Sequence, residues 1–185
     1  MARLVYLMNV SLDGFIETPE HSTDWASVDE ELFGWFTDQI RAASGFLYGR
    51  RLYETMAYWA GAASDPDATP AMREFGEIWT AKPKVVFSST LTDVAHNSRL
   101  VTGDPIEELA RLHAEFDGEL QVEGPTLASA FVRRDLVEAY RLVVHHVVLG
   151  AGTPFWPALD RPIPLRLAAS RRWRSGATVL DYVRP

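Results

Sequence analysis

Short strand-like runs alternate with helix-like runs along the whole chain, and this alternation is the feature that most limits the possible folds. Strands joined to helices by short connections favour a largely parallel sheet with helices on both faces. The strand-like runs are residues 3–10, 46–48, 84–88, 119–123 and 136–149. Two further runs, 165–173 and 178–183, lie around the turn Ser175-Gly176 and predict an antiparallel hairpin. The expected fold is therefore α/β, with one domain over residues 1–185.

Several helix starts have a recognisable cap. Ser27-Val28-Asp29-Glu30 predicts a capping box, in which Ser27 caps the amide of Glu30. Thr69-Pro70 and Asp104-Pro105 each place a capping side chain before a proline, which suits the first position of a helix. Further helices are expected over residues 50–59 and 125–133.

The composition excludes several classes of protein. There is no cysteine, which removes disulfides, zinc–thiolate sites and a cysteine nucleophile and fits a reducing compartment. A net charge of −7 argues against a nucleic-acid partner, because phosphate contacts need a basic surface. The apolar run 142–149 is too short to span a bilayer, and the first residues lack the apolar segment of a signal peptide. We therefore expect a cytoplasmic protein with no membrane partner.

Three strand-to-helix junctions have the composition of a phosphate site. Tyr48-Gly49-Arg50-Arg51 combines a close turn with two guanidinium groups, and Phe87-Ser88-Ser89-Thr90-Leu91 offers three hydroxyls. Val122-Glu123-Gly124-Pro125-Thr126-Leu127 places glycine at a strand end and proline at a helix start, which leaves free amides. Each junction taken alone also fits an ordinary turn, and for the Ser-Ser-Thr junction the turn is the favoured interpretation. Neither G-x-G-x-x-G nor G-x-x-x-x-G-K-[ST] occurs, so a Rossmann or P-loop assignment fails.

A few side chains are candidates for chemistry, and each has a structural alternative. Asp13 could orient a substrate or relay a proton, but Asp13-Gly14 is also a strong turn signal. Trp25 could stack on a planar ring, and Phe155 could form a pocket wall, or both could pack in the core. His145 and His146 are adjacent in a strand, so they point to opposite faces and cannot chelate one ion; no metal site is expected.

Taken in order, these segments resemble the dihydrofolate-reductase-like superfamily. The nearest resemblance is to the reductase domain at the C-terminus of bifunctional riboflavin-biosynthesis deaminase–reductases and to its stand-alone relatives. The residues that carry it span essentially the whole chain: 11–16, 24–25, 47–54, 84–91, 123–127, 136–138, 148–155 and 175–182.

The resemblance implies a three-layer fold and an NADPH-dependent reductase acting on a small heterocycle, either pterin- or dihydrofolate-like or ribosylamino-pyrimidine-like. It implies a homodimer, as is usual in the family. The cofactor residues it implies are Gly49, Arg50 and Arg51 at the phosphates, Ser88, Ser89 and Thr90 by the 2′-phosphate, Gly124, Pro125, Thr126 and Leu127 at the pyrophosphate, and the backbone of Val10 and Ser11 at the nicotinamide amide. The resemblance makes Asp13 the candidate catalytic residue, and it implies that Trp25, His146 and Phe155 line the substrate pocket.

The chain also departs from the family pattern. Glu123 replaces the first of two glycines at the third junction, where a carboxylate would repel a pyrophosphate, and Leu52 replaces a threonine that follows the Gly-Arg pair. Glu138-Ala139 stands where the family has an Asp-Glu pair, and His146 where a proline is common. Glu123 and Leu52 motivate the alternative of a non-catalytic nucleotide- or ligand-binding domain of the same fold.

Overall fold

The fold is built on one large sheet that places the ends of its parallel strands along a single edge. The computed structural model describes residues 2–62 and 64–185, and within these ranges it contains ten strands and six helices. The strands are β1 (Arg3–Val10), β2 (Phe15–Glu17), β3 (Gly45–Gly49), β4 (Lys84–Phe87), β5 (Ser98–Val101), β6 (Glu119–Glu123), β7 (Ala139–Val144), β8 (Thr153–Pro154), β9 (Arg166–Arg172) and β10 (Thr178–Val183). The helices are α1 (Glu30–Ala42), α2 (Arg50–Met56), α3 (Tyr58–Ala62), α4 (Pro70–Ala81), α5 (Pro105–Glu115) and α6 (Pro125–Val132).

The strand order confirms the expected sheet. Eight strands pair in the order β5-β4-β3-β6-β1-β7-β10-β9. The pairs from β5 to β7 are parallel, whereas β10 is antiparallel to both β7 and β9. A separate two-stranded sheet joins β2 to β8 in antiparallel fashion. The α/β sheet with an antiparallel C-terminal hairpin is therefore present, and β2–β8 adds a small platform beside the end of β1.

Helices cover both faces of the sheet, so the fold has three layers. On one face, Tyr6 and Val122 are buried with Leu112 of α5 and Phe131 of α6. On the other face, Tyr48 is buried with Ile40 of α1 and Trp79 of α4, and the indole N–H of Trp79 donates to the Tyr48 hydroxyl at 3.3 Å. Apolar residues on alternate sides of the strands thus give a buried core on each face, and a smaller cluster joins Leu32 of α1 to Val143 of β7 and Val179 of β10. Burial on both faces is expected for a covered parallel sheet.

The cap of α1 is Asp29, so the predicted capping by Ser27 is wrong. The Asp29 carboxylate accepts from the Leu32 amide at 2.8 Å and also from the Ser175 amide at 3.0 Å. The second contact ties the start of α1 to the β9–β10 turn, which a capping serine two residues earlier does not do. The predicted caps Thr69 and Asp104 are confirmed, because their side chains accept from the amides of Met72 and Ile106.

Two predicted elements have different bounds. The helix expected over residues 50–59 is split into α2 and α3. The backbone of Trp59 in α3 packs closely on α4, where a Cβ at Gly76 would lie 2.4 Å from the Trp59 carbonyl oxygen. The strand expected over residues 136–149 is reduced to β7 (Ala139–Val144). Both of its neighbours end their pairing at Val144, β1 with Val10 and β10 with Thr178, so the chain leaves the sheet there.

None of the helices within the described ranges is long and apolar enough to cross a membrane.

Candidate active site

A cavity of about 680 Å³ lies at the carboxyl ends of the central parallel strands. Its floor is apolar, with Met8 of β1, Ile16 of β2 and Phe87 of β4, and its walls include the first residues of α2, α5 and α6. The remaining lining residues are Glu17, His21, Thr23, Gly49, Arg50, Arg51, Leu52, Thr55, Pro105, Gly124, Pro125, Thr126, Leu127 and Ala130. Loops and helix starts that follow parallel strands form the usual ligand crevice of open α/β sheets.

Two of the three phosphate-type junctions line this cavity, and the third is connected to it. Residues 49–51 and 124–127 are lining residues. Ser88, Ser89 and Thr90 lie outside the lining, but Arg50 Nη1 donates to Thr90 Oγ1 at 3.1 Å. Ser88 Oγ lies 3.3 Å from Thr90 Oγ1 and accepts the Leu91 amide at 3.0 Å, so it closes its own turn. Arg50 therefore joins the first and second junctions at one end of the cleft.

The start of α6 leaves backbone amides without a partner in the helix. Gly124 is the N-cap, with φ of 88°, a conformation that glycine adopts without strain. It has no side chain to cap the helix, and Pro125 follows it at the first position. Since the first amides of a helix have no intrahelical acceptor, those of Thr126 and Leu127 are free to bind a ligand in the cavity.

Glu123 is not among the residues that line this cavity, and strand alternation points its side chain to the face opposite that of Val122. Its strand neighbour Val122 is buried in the core beside α5 and α6, and Glu123 pairs with Tyr48, whose ring packs on the α1–α4 side. Burial raises the pKa of the Glu123 carboxyl to about 8. A carboxyl of this kind is mostly neutral at pH 7, so the repulsion expected from the sequence is largely absent.

A polar cluster in the cavity centres on Glu17, which the sequence did not single out. Its side chain is only 8% exposed. Arg51 Nη2 donates to Oε2 at 2.5 Å, Thr153 Oγ1 donates to Oε1 at 2.5 Å, and His21 Nδ1 lies 2.9 Å from Oε1. Burial alone would raise the pKa of Glu17, but the hydrogen bonds from Arg51, Thr153 and His21 outweigh it and lower the pKa below its usual value.

The β2–β8 sheet is what positions Glu17. Glu17 ends β2 and pairs with Thr153 of β8, so the two side chains meet across this short ladder. Gly152 precedes Thr153 with φ of 145°, and a Cβ there would lie 2.0 Å from the Glu17 carbonyl oxygen. A single acid at the end of a Phe-Ile-Glu run carries no local signal of this role, because its partners stand 34 and 136 residues away.

Asp13 lies outside the cavity lining, at the turn between β1 and β2. Its Oδ1 accepts from Ser11 Oγ at 2.7 Å and from the Leu149 amide at 3.1 Å, and its Oδ2 accepts from the Gly150 amide at 2.7 Å. The hydrogen bond from Ser11, followed by those from Gly150 and Leu149, lowers the pKa of Asp13 to about 2. The carboxylate thus joins this turn to the loop that precedes β8.

The other predicted pocket residues are spread over three environments. The Trp25 ring is half-buried and meets the buried His145 edge-on at 5.6 Å. His146 is exposed and lies beside Gly176 in the hairpin turn. Phe155 is fully buried and stacks on Tyr6 at 4.2 Å, so it packs in the core.

The backbone at Val10 and Ser11 already has partners within the chain. The Val10 carbonyl accepts from the His145 amide at 2.8 Å, and the Ser11 amide donates to the Phe15 carbonyl at 2.7 Å. Any contact of these groups with a ligand would use the second lone pair of a carbonyl oxygen.

The strand order, the antiparallel hairpin and the crevice at the strand ends define an α/β protein of the dihydrofolate-reductase-like fold. A model of the family described as the RibD C-terminal domain matches residues 2–179, and the chain belongs to this family. Membership supports a reductase-type function, that of an oxidoreductase.

Similar proteins agree with this assignment. The uncharacterized protein YyaP of Bacillus subtilis (strain 168) is 28% identical over 181 residues, which cover 97% of this chain and 94% of YyaP. A Shewanella sp. PV-4 protein, provisionally assigned to riboflavin biosynthesis, has a similar structure with a TM-score of 0.76 and 23% identity, covering 100% and 99% of the two chains. Dihydrofolate reductase from Enterococcus faecalis, solved in complex with NADP(H), superposes with a TM-score of 0.66 at 14% identity over 98% of this chain and 96% of that one.

Proposed function

We propose that the protein is an NADPH-dependent reductase that transfers a hydride to a C=N or C=O group of a small heterocycle. The substrate classes are pterin- or dihydrofolate-like and ribosylamino-pyrimidine-like compounds. The observation that carries the proposal is the single cavity of about 680 Å³ that collects residues 49–51 and 124–127 and reaches Thr90 through Arg50. Family membership and the NADP(H) complex of the Enterococcus faecalis enzyme support the same conclusion.

The donors at the cavity fit the phosphates of such a cofactor. The free amides of Thr126 and Leu127 would hold the pyrophosphate at the start of α6. Arg50, with the hydroxyls of Ser88, Ser89 and Thr90 at its end of the cleft, would meet the 2′-phosphate. Both arginines have a carboxylate partner: Arg51 is held by the buried Glu17, whereas Arg50 pairs through Nε with the exposed Glu54 at 2.8 Å. Because an exposed ion pair is weak, Arg50 is the one that can turn to a ligand, and we assign the 2′-phosphate contact to it. The apolar floor at Met8 and Ile16 would receive the nicotinamide ring, next to the backbone of Val10 and Ser11.

A nicotinamide cofactor supplies the hydride when it is bound, and the protein must orient both rings and exclude water. In this proposal Asp13 is a positioning residue. With a pKa of about 2 it is ionised at neutral pH and has no proton to relay, but it fixes the loop before β8. Trp25 and His146 remain candidates for the substrate pocket. Phe155 would support that pocket indirectly, through its stacking on Tyr6.

The first experiment compares Arg50→Ala with the wild-type protein in titrations with NADPH and NADH. Loss of a charge-assisted contact to the 2′-phosphate costs about 1.5–3 kcal/mol, or roughly 10- to 100-fold in Kd. We expect that loss for NADPH and little change for NADH. Arg41→Ala is the matched control, because Arg41 forms exposed ion pairs with Asp38 and Glu74 away from the cavity. Equal weakening for both cofactors would contradict the role of Arg50.

The second experiment measures NADPH oxidation with pterin, flavin and pyrimidine substrates. Turnover with one of these compounds is the expected result. NADPH binding without any oxidation would instead indicate the non-catalytic nucleotide- or ligand-binding domain. An absence of NADPH binding would contradict both functions.

We extend the proposal to a homodimer in the cytoplasm. The edge strand β9 supports a dimer, because all seven of its residues are exposed and Leu167 keeps 48% of its surface in solvent. An uncovered edge strand of this length is a ready site for association. Light scattering should give the mass of two chains, and a monomeric mass would contradict the dimer.

A further inference from the structure

We propose that His21, held in place by Glu17, donates the proton that accompanies hydride transfer in this cavity. The inference rests on the proposed reductase function and adds a catalytic residue to it. Reduction of a C=N or C=O group needs a proton as well as a hydride. Asp13 is ionised and lies outside the cavity lining, so it leaves that role open.

His21 and Glu17 line the cavity together with the apolar floor residues Met8 and Ile16. His21 Nδ1 lies 2.9 Å from Glu17 Oε1. Because the pKa of Glu17 is lowered, its carboxylate accepts hydrogen bonds only, and Nδ1 of His21 is then the donor. The other ring nitrogen, Nε2, is left for a substrate. A histidine oriented by a carboxylate through one nitrogen and reactive through the other is a recurrent arrangement in acid–base catalysis.

The backbone of His21 is held in a conformation that most residues avoid. Its φ is 65°, in the left-handed region. The turn around it is closed by two backbone hydrogen bonds, His21 N–H to Thr18 O at 2.9 Å and Thr18 N–H to Ser22 O at 3.0 Å. A non-glycine residue in this region costs on the order of 1 kcal/mol, and such conformations concentrate at functional sites.

The His21 ring contacts the Glu17 carboxylate, and the same carboxylate holds the Arg51 guanidinium of α2. The Glu17 side chain is fixed from three sides, by His21, Arg51 and Thr153, so it presents one oxygen to the imidazole in a defined direction. The His21 side chain is 59% exposed, and water can therefore reach it to restore a proton after each turnover.

The step balances with the cofactor as the only reductant. The substrate carbon accepts the hydride from the nicotinamide, and its π bond to nitrogen or oxygen breaks. The electron pair of that bond takes the proton from Nε2 of the His21 imidazolium and forms an N–H or O–H bond. The substrate gains two electrons, the nicotinamide loses two, and neutral His21 takes a proton from water.

The test uses His21→Asn, because asparagine tolerates the left-handed backbone and cannot donate a proton at neutral pH. His96→Asn is the matched control, since His96 also has a positive φ, of 58°, and lies outside the cavity lining. With dihydrofolate as the probe substrate, we expect NADPH oxidation to fall roughly 10²- to 10⁴-fold in His21→Asn. The rate should be unchanged in His96→Asn, and both variants should keep the NADPH Kd of the wild type.

The pH profile separates a proton donor from a merely structural residue. The wild-type rate should fall with rising pH as the imidazolium is lost, and this limb should be absent in His21→Asn. A His21→Asn variant with the wild-type rate and profile would overturn the proposal.

Nitrogen-15 NMR of the histidine side chains gives a readout that does not need turnover. The His21 signals, assigned by their loss in His21→Asn, should show the Nδ1–H tautomer in the neutral form and should shift when NADPH is added. These signals decide the question if the wild-type protein does not reduce dihydrofolate. His21 signals unaffected by NADPH, in a protein that binds it, would overturn the role of His21 and leave the reductase proposal standing. Failure of the wild-type protein to bind NADPH would overturn the reductase proposal itself.

Discussion

Glu123 ends β6 on the side of the sheet where Tyr48 packs, and burial raises the pKa of its carboxyl to about 8. Folding therefore favours the protonated form, whereas the unfolded chain ionises near the ordinary value of 4.5. Below about pH 4.5 the carboxyl is neutral in both states and imposes no penalty. As the pH rises from there to about 8, the unfolded state alone becomes ionised and stability is lost.

The size of this loss follows from the shift in pKa. At about 1.4 kcal/mol per unit, full ionisation of Glu123 corresponds to a penalty of about 5 kcal/mol. The residue as a whole keeps some exposed surface, and the effective dielectric near a protein surface reduces such a penalty. We expect roughly 2–5 kcal/mol at alkaline pH, a large part of the free energy of unfolding of a small domain.

The perturbation is Glu123→Gln, which keeps a neutral side chain of similar shape at every pH. Urea unfolding of variant and wild type at about pH 5 and about pH 9 should show nearly equal stability at the lower pH and a more stable variant at the higher. Glu119→Gln on the same strand is the control, since Glu119 pairs with Arg141 at 2.9 Å and its loss should give no gain at alkaline pH. A stability difference for Glu123→Gln that is the same at both pH values would refute the reasoning.

Two further perturbations test other parts of the structure. Gly76→Ala should destabilise the protein by about 1–3 kcal/mol in thermal unfolding, because the new Cβ would meet the Trp59 carbonyl at 2.4 Å. Gly34→Ala in α1, where a Cβ would have no atom within 4 Å, should instead stabilise the protein by about 0.5–1 kcal/mol. The same sign for both glycines would contradict the packing of α3 on α4. Asp13→Asn should reduce turnover while sparing NADPH affinity, and it should destabilise the protein above about pH 4, with the difference disappearing as the pH falls towards 2. Unchanged turnover would return Asp13 to the role of a turn residue.

The central strands could be predicted because each is a local apolar run with clear ends. The predicted strands 3–10 and 119–123 coincide with β1 and β6. By contrast, β5 is the short and half-polar run Ser98-Arg99-Leu100-Val101, which has no strong periodicity. The capping box at Ser27 fails for a different reason. A contact that favours Asp29 as the cap comes from Ser175, 146 residues away, and no local pattern reveals it.

The candidate site also contains some residues with a local sequence signal and others that only distant contacts define. The junctions at residues 49–51 and 124–127 could be recognised from sequence, since glycine, proline and arginine after a strand have local meaning. Glu17 could not, because its buried environment is made by Arg51 and Thr153, which are distant in the chain. His21 gains its proposed role only through Glu17, and its positive φ is a property of the folded turn.

The central claim is that NADPH binds in the cavity at the carboxyl ends of β1, β3 and β6. A crystal structure of the protein soaked with NADPH tests it most directly. The account predicts the 2′-phosphate at Arg50 and Thr90, the pyrophosphate on the amides of Thr126 and Leu127, and the nicotinamide over Met8 and Ile16 within reach of His21. Electron density for the cofactor elsewhere on the protein, or a cavity without cofactor at saturating NADPH, would contradict it.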